Sequence, residues 1–295
     1  MVLSLNGITK FYGRVHALDN VSFDVPEGSV FGILGPNGSG KTTMLGIVMD
    51  ILKPTSGTVK FYGTAPTSKQ RKKVGTLLET PNFYHYLSGE KNLAIVAEIK
   101  GKGREDIPAV LEKVNLTERK ASRFSTYSLG MKQRLAIASA LLGRPDVLVF
   151  DEPTNGHDPV GIAEIRELIK KQAGEGKTII MASHLLDEVE KVCSHVAIMK
   201  RGKLLAAGPV AEILVNEDIA EVSSGDPVQL EAVVSTLPGY TNIKKLADCL
   251  QIHFPAGSAS LEAINRHCFE NGVVLNHLLL RRKSLEAKFL ELTNN

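Results

Sequence analysis

Residues 29–43 read Ser-Val-Phe-Gly-Ile-Leu-Gly-Pro-Asn-Gly-Ser-Gly-Lys-Thr-Thr, and this stretch decides the fold. Its first six residues form a short apolar run of the kind that makes a buried strand. The following run, MLGIVMDIL (44–52), repeats its apolar residues at helical spacing until Lys53-Pro54 stops it. Between strand and helix lies Gly35-Pro36-Asn37-Gly38-Ser39-Gly40-Lys41-Thr42-Thr43, which fits the phosphate-loop pattern G-x-x-x-x-G-K-[S/T]. Glycines there let backbone N–H groups turn inward and cradle phosphate oxygens. Lys41 can neutralise the outer phosphates, and the Thr42 hydroxyl can hold Mg²⁺. A glycine-rich turn can match such a pattern by chance, but the strand before it and the helix after it argue for a working loop.

Outward from this loop, further short apolar runs alternate with helical patterns. VLVF (147–150), TIIMAS (178–183) and HVAIM (195–199) read as strands, with helices near 160–173 and 185–193 between them. Runs that are apolar throughout, rather than alternating, are the mark of a parallel sheet covered on both faces. Asp151 and Glu152 follow VLVF, and Ser183-His184 closes TIIMAS. Two carboxylates at a strand end can be a solvated terminus, and a lone histidine is more often structural than catalytic. Here three chemically apt segments leave the carboxyl ends of three parallel strands, the edge at which open α/β sheets bind ligands. Asp151 then positions Mg²⁺ and Glu152 accepts a proton from the attacking water.

Composition bounds the remaining possibilities. The chain has 295 residues, long enough for about two domains. Its 43% hydrophobic and 23% charged content is that of a globular protein and excludes a disordered or collagen-like chain. No apolar run approaches the roughly 20 residues that span a bilayer, and the amino terminus carries no signal-peptide pattern. A net charge of +3 on 35 basic and 32 acidic residues implies no polyanionic partner, so no nucleic acid is expected. The basic clusters at 69–73, 200–201 and 281–283 read as solvated surface charge. Cys193, Cys249 and Cys268 are odd in number and widely spaced, which suits a reducing cytoplasm.

Over residues 1–213 the chain resembles the ATP-binding subunits of ABC transporters. The resemblance rests on the phosphate loop (Walker A), on Asp151-Glu152 (Walker B) running through Pro153-Thr154-Asn155-Gly156-His157-Asp158-Pro159 into a D-loop, on Ser183-His184 as the H-loop, and on Tyr127-Ser128-Leu129-Gly130-Met131-Lys132-Gln133-Arg134 as the family's signature motif. Tyr12 falls where the family sets an aromatic ring against adenine. No N-K-x-D guanine motif occurs, which leaves a G-protein reading unsupported. The fold implied is α/β: a P-loop ABC-type nucleotide-binding domain with a helical subdomain at about 88–142 and an antiparallel β subdomain. Residues 214–295 read separately, as a small C-terminal α+β domain in strand–helix–strand–strand–helix–strand order.

The resemblance further implies ATP and Mg²⁺ as cofactors. It also implies two ATP-binding subunits, identical or merely similar, meeting head to tail with nucleotide between the loop of one and the signature of the other. Ser128 and Gly130 open a helix whose N–H groups suit a γ-phosphate. Glu152, His184 and Asp158 are the expected catalytic group, and Thr42, Asp151 and Glu79 the expected metal group. Four positions depart from the common pattern: Glu79 stands where glutamine is usual, Leu129 where glycine is usual, Met131 where glutamine is usual, and His157 where leucine is usual. The closing Ser284-Leu285-Glu286-Ala287-Lys288-Phe289-Leu290-Glu291-Leu292-Thr293 resembles the tail of bacterial drug and antibiotic exporters of the bacitracin and daunorubicin type. As a plain amphipathic helix it would pack Leu285, Phe289 and Leu292. The expectation is thus an ATPase at the cytoplasmic face of a bacterial membrane, driving export through a separate integral-membrane permease. Importer ATPases share the ATP chemistry, but their regulatory tails are commonly small barrels. ABC ATPases acting on ribosomes or DNA usually carry two cassettes or long coiled-coil insertions. This chain has one cassette and little sequence between Lys41 and Ser128.

Overall fold

The computed structural model describes residues 1–78, 82–214, 217–255, 257–282 and 285–294. The chain divides into two compact units, Met1–Val210 and Ala211–Asn295.

The first unit opens with β1 (Leu3–Tyr12) and β2 (Val15–Val25), an antiparallel pair. Next come β3 (Val30–Leu34), α1 (Lys41–Val48), β4 (Ser56–Phe61), a single turn α2 (Ser68–Arg71) and β5 (Val74–Leu77). Three helices follow: α3 (Gly89–Lys100), α4 (Ile107–Lys113) and α5 (Leu129–Leu141). Strand–helix alternation then resumes with β6 (Val147–Asp151), α6 (Pro159–Gly174), β7 (Thr178–Ser183), α7 (Leu186–Val192) and β8 (His195–Lys200), and β9 (Lys203–Pro209) returns antiparallel along β8.

Two sheets result. One is antiparallel, in the order β2-β1-β4, and the other has six strands in the order β5-β6-β7-β3-β8-β9. Every pairing in the second is parallel except β8 with β9. The strands bearing the phosphate loop, Asp151 and His184 are therefore neighbours, β6-β7-β3, with all residues of each buried. The core joins the two sheets, with Leu3, Leu5, Ile8, Val21, Phe31, Ile33, Met44, Leu45, Val149 and Ile180 in one cluster. The helix after the loop stops at Val48, short of Lys53-Pro54. Asp50 turns left-handed (φ 60°), and the Ile51 and Leu52 N–H groups both donate back to the Gly46 carbonyl.

The second unit begins within α8 (Val210–Leu214) and contains β10 (Glu217–Ser224), α9 (Pro227–Val234), β11 (Asn242–Lys245), β12 (Leu250–Pro255), α10 (Leu261–Glu270), β13 (Leu275–Arg282) and α11 (Leu285–Asn294). Its sheet is antiparallel throughout, in the order β11-β12-β10-β13, which with this chain order is the split β-α-β arrangement. Alternation fixes its faces. Ala220, Val222, Leu250, Ile252 and Phe254 join Leu230 and Val234 of α9 and Ile264 and Cys268 of α10 in one core. The opposite register carries Glu221, whose buried carboxylate accepts from Arg281 Nε at 2.7 Å and Gln251 Nε2 at 2.9 Å. Leu285 is fully buried, while Phe289 and Leu292 are half-buried.

Candidate functional site

The phosphate loop is shaped by glycines that admit no side chain. A Cβ on Gly35 would lie 2.5 Å from both Met199 O and Ser39 Oγ. One on Gly40 (φ 103°) would lie 2.5 Å from Ala17 O and 2.8 Å from Leu18 Cδ2. These close approaches lay β2 and the β8–β9 turn against the loop, where Gly202 N donates to Ser39 O at 3.0 Å. Lys41, the first residue of α1, is 6% exposed, and its Nζ is surrounded by oxygen. It donates to Gly35 O at 2.7 Å and Pro36 O at 3.4 Å, and pairs with Glu152 Oε1 at 3.4 Å.

Glu152 follows the last residue of β6 in a left-handed conformation (φ 48°), which costs a non-glycine residue about 1–3 kcal/mol. Its backbone is held on both sides: its N–H donates to Ala182 O of β7 at 3.0 Å, and its carbonyl accepts from Asn155 N at 3.1 Å and Gln133 Nε2 at 3.5 Å. The turn aims the carboxylate between two cationic or proton-bearing groups. Oε1 meets Lys41, while Oε2 meets His184 Nδ1 at 2.8 Å and the His184 N–H at 3.4 Å. A carboxylate beside an imidazole, at the rim of a loop built for phosphate, can accept a proton from water and pass it on.

A cavity of about 550 Å³ extends from the loop. Asn37, Gly38, Ser39, Gly40, Lys41, Thr42, Thr43 and Glu152 line it, with Tyr12 at the end of β1 on its far wall. Tyr12 is 47% exposed, with Lys10 Nζ 5.2 Å from its ring centre. Four lining residues escape the sequence reading: Val15, His16, Ala17 and Arg201. Arg201 belongs to a pair that reads as solvated surface charge, and only the β8–β9 turn brings it to the loop. A second cavity, of about 490 Å³, is lined by Thr42, Asp151 and Glu152 together with Leu129, Gln133, Asn155 and Gly156. Thr42, Asp151 and Glu152 present a hydroxyl and two carboxylates, the hard oxygen donors that suit Mg²⁺.

Ser128 caps α5, its Oγ accepting from Met131 N at 3.3 Å, and Asp158 caps α6, accepting from Gly161 N at 2.7 Å. Neither residue, nor Gly130, lines the two cavities. Gly35 and Pro36 touch Lys41 from behind the loop. Glu79 lies outside the described residues. Among the described residues no cluster of His, Cys, Asp or Glu stands ready to hold a metal by itself.

Comparison with known proteins agrees with this geometry. Residues 18–155 match the family described as ABC transporter. The bacitracin transport ATP-binding protein BcrA of Enterococcus faecalis is 34% identical over 99% of this chain and 96% of its own length. The lantibiotic transport ATP-binding protein SrtF of Streptococcus pyogenes is 38% identical over 69% of this chain and 89% of its own length. A solved dimeric ATP-binding cassette, in a post-hydrolysis state bound to ADP and Pi, superposes with a TM-score of 0.64 at 28% identity, covering 70% of this chain and 98% of that one. The phosphate loop, the carboxylates at the end of β6 and the similarity of the whole chain to such proteins lead to one conclusion: this chain belongs to the ABC transporter family, as one of its ATP-binding, ATP-hydrolysing subunits.

Proposed function

We propose that the chain drives export of a small molecule or peptide of the drug or antibiotic kind through a separate integral-membrane permease. The likeness to the bacitracin protein carries this reading, because it runs through the tail as well as the cassette. Among the described residues no helix is long and apolar enough to cross a membrane, which suits a motor docked on a pore made elsewhere, at the cytoplasmic face.

In this reading two cassettes, identical or similar, close head to tail over ATP. The loop amides from Gly35 to Thr43 and the Lys41 ammonium hold the phosphates, Tyr12 stacks on the base, and Ser128 and Gly130 of the opposite chain meet the γ-phosphate. Thr42 and Asp151 would hold Mg²⁺, and the family pattern adds Glu79, outside the described residues, as a third ligand. The ion supplies charge neutralisation on the phosphate oxygens. Glu152 takes the proton of the attacking water, and His184, 2.8 Å from its Oε2, fixes the carboxylate's direction. Asp158 holds the start of α6 near the partner's site. The tail unit, 214–295, serves as an accessory domain.

Glu152→Gln tests the central assignment. Turnover measured by phosphate release falls about 10²- to 10⁴-fold while ATP binding is kept. Native turnover in this variant would overturn the assignment of the base. For the transport reading, the chain purified from membranes carries an integral-membrane partner with it. Recovery in ribosome or DNA fractions instead would sink the export reading.

A further inference from the structure

Two short segments that the ATP chemistry treats separately are locked together. One is the turn that opens α5, Leu129-Gly130, and the other is Gly156-His157, between Glu152 and α6. Leu129 lies over Gly156, where a methyl group would collide with Leu129 Cδ2 and sit 3.2 Å from its Cγ. In the other direction His157 lies over Gly130, where a Cβ would come 3.3 Å from Nδ1 and 3.5 Å from Cε1. The same ring also covers Gly161 in the first turn of α6, where a Cβ would lie 2.7 Å from Nδ1. Large beside small thus meets small beside large, and each glycine is the socket for the other segment's side chain. Gly156 is also left-handed (φ 75°), the conformation that favours glycine there.

The surroundings stiffen the lock. Arg134, on α5, pairs with Glu164, on α6, at 2.8 Å. Asn155 N donates to Glu152 O and His157 N to Thr154 O, which leaves little slack between the carboxylate and the ring. Burial, then the neighbouring Arg134 charge, hold the His157 pKa below its ordinary value against smaller opposing effects of Asp158 and Glu164, so the ring packs uncharged at neutral pH. Leu129 lines the same cavity as Thr42, Asp151 and Glu152. Both large residues are departures from the family's common pattern, and in this chain each packs on the other's segment.

We propose that Leu129 and His157 are positioning residues for ATP hydrolysis. Their interlock makes the Ser128–Gly130 turn and the Glu152–Asp158 segment one mechanical part. The inference rests on the head-to-tail reading, in which that turn holds the partner's nucleotide while Glu152 serves the chain's own. Closure on one nucleotide then sets the aim of the carboxylate at the other, because packed neighbours of this kind shift together.

The test is steady-state ATP hydrolysis and ATP-analogue binding with the full-length chain as Leu129→Ala, His157→Ala and the double variant. Each single change lowers kcat about 10-fold and leaves KM and nucleotide affinity in place, since a small misplacement of a catalytic group acts on the chemical step. The double variant falls no further than the worse single one, because either change undoes the same lock. His157→Leu, which refills the socket with an apolar side chain, recovers most of the rate. Multiplication of the two effects to about 100-fold would show independent roles and overturn the proposal. So would an unchanged kcat in either single variant, or a raised KM at unchanged kcat. Leu129 is 55% exposed, so Leu129→Ala leaves the core intact and keeps the test valid if His157→Ala folds poorly. Glu152→Gln is the control. If it still turns over ATP, the reading of the site has failed, whereas if it is dead and the interlock variants are normal, only this inference has failed.

Discussion

The cassette and the tail both cover a sheet with helices, yet only the first concentrates reactive chemistry at one edge. In the cassette, β6, β7 and β3 run side by side in the same direction, so their carboxyl ends deliver Asp151-Glu152, His184 and the phosphate loop to one place. In the tail every pairing is antiparallel, so successive strand ends point opposite ways and no edge collects them. One of the tail's buried carboxylates, Glu221, spends its oxygens on Arg281 and Gln251 within its own sheet. Parallel topology gathers side chains for chemistry, and the antiparallel unit gathers them for packing. The comparison predicts that lesions in the two units separate cleanly.

The largest effect belongs to the cassette. Lys41→Ala removes a charge-assisted donor from the phosphates and weakens ATP binding about 10- to 100-fold, read by titration with a fluorescent analogue. An unchanged affinity would break the comparison at its first point. The tail's counterpart is Ile252→Ala, at a fully buried position in the middle of β12. It costs about 2–5 kcal/mol of stability in the tail unit, measured by urea unfolding, and leaves kcat and KM for ATP where they were. A changed kcat in the folded protein would mean that the tail takes part in the chemistry.

A smaller effect sharpens the picture inside the cassette. Lys100 Nζ donates to Ser139 O at 2.7 Å and to Ala140 O and Leu142 O at 3.4 Å, closing the carboxyl end of α5. Burial, helped by Lys102, lowers its pKa from 10.5 to about 8. Between those values the unfolded chain holds the proton more tightly than the folded one, so this group makes stability rise with pH across that window. The unfolding midpoint of the native chain therefore climbs more steeply from pH 8 to 10 than that of Lys100→Met. Parallel slopes would remove Lys100 as the cause.

Much of this was legible from residues alone where local pattern and global role coincide. Runs apolar on both faces marked β3, β6 and β7, and the strand–helix order of the tail was readable from its strand-like and helix-like segments. The pattern failed where tertiary contact overrides it. β5 contains Gly75, a poor strand residue, placed there because a Cβ would collide with the Ala140 carbonyl of α5. Arg201 and His16 carry no phosphate-site signal in sequence, since only the approach of β2 and the β8–β9 turn to Gly40 and Ser39 brings them to the cavity. Leu129 and His157 stood out only as separate oddities. Their partnership needs the packing of α5 against the start of α6.

One contact of Lys41 reaches further than its geometry suggests. Because its ammonium already satisfies itself on two loop carbonyls and the Glu152 carboxylate, a phosphate reaching the loop trades places with those oxygens rather than filling a bare positive hole. The gain is a difference between two well-coordinated states of one buried ammonium, and that difference grows with the charge the newcomer brings. A single weak anion wins little in the exchange, while a polyphosphate, touching the amides and the ammonium at once, wins it outright. On this physical argument the loop favours a chain of phosphates over a single small anion.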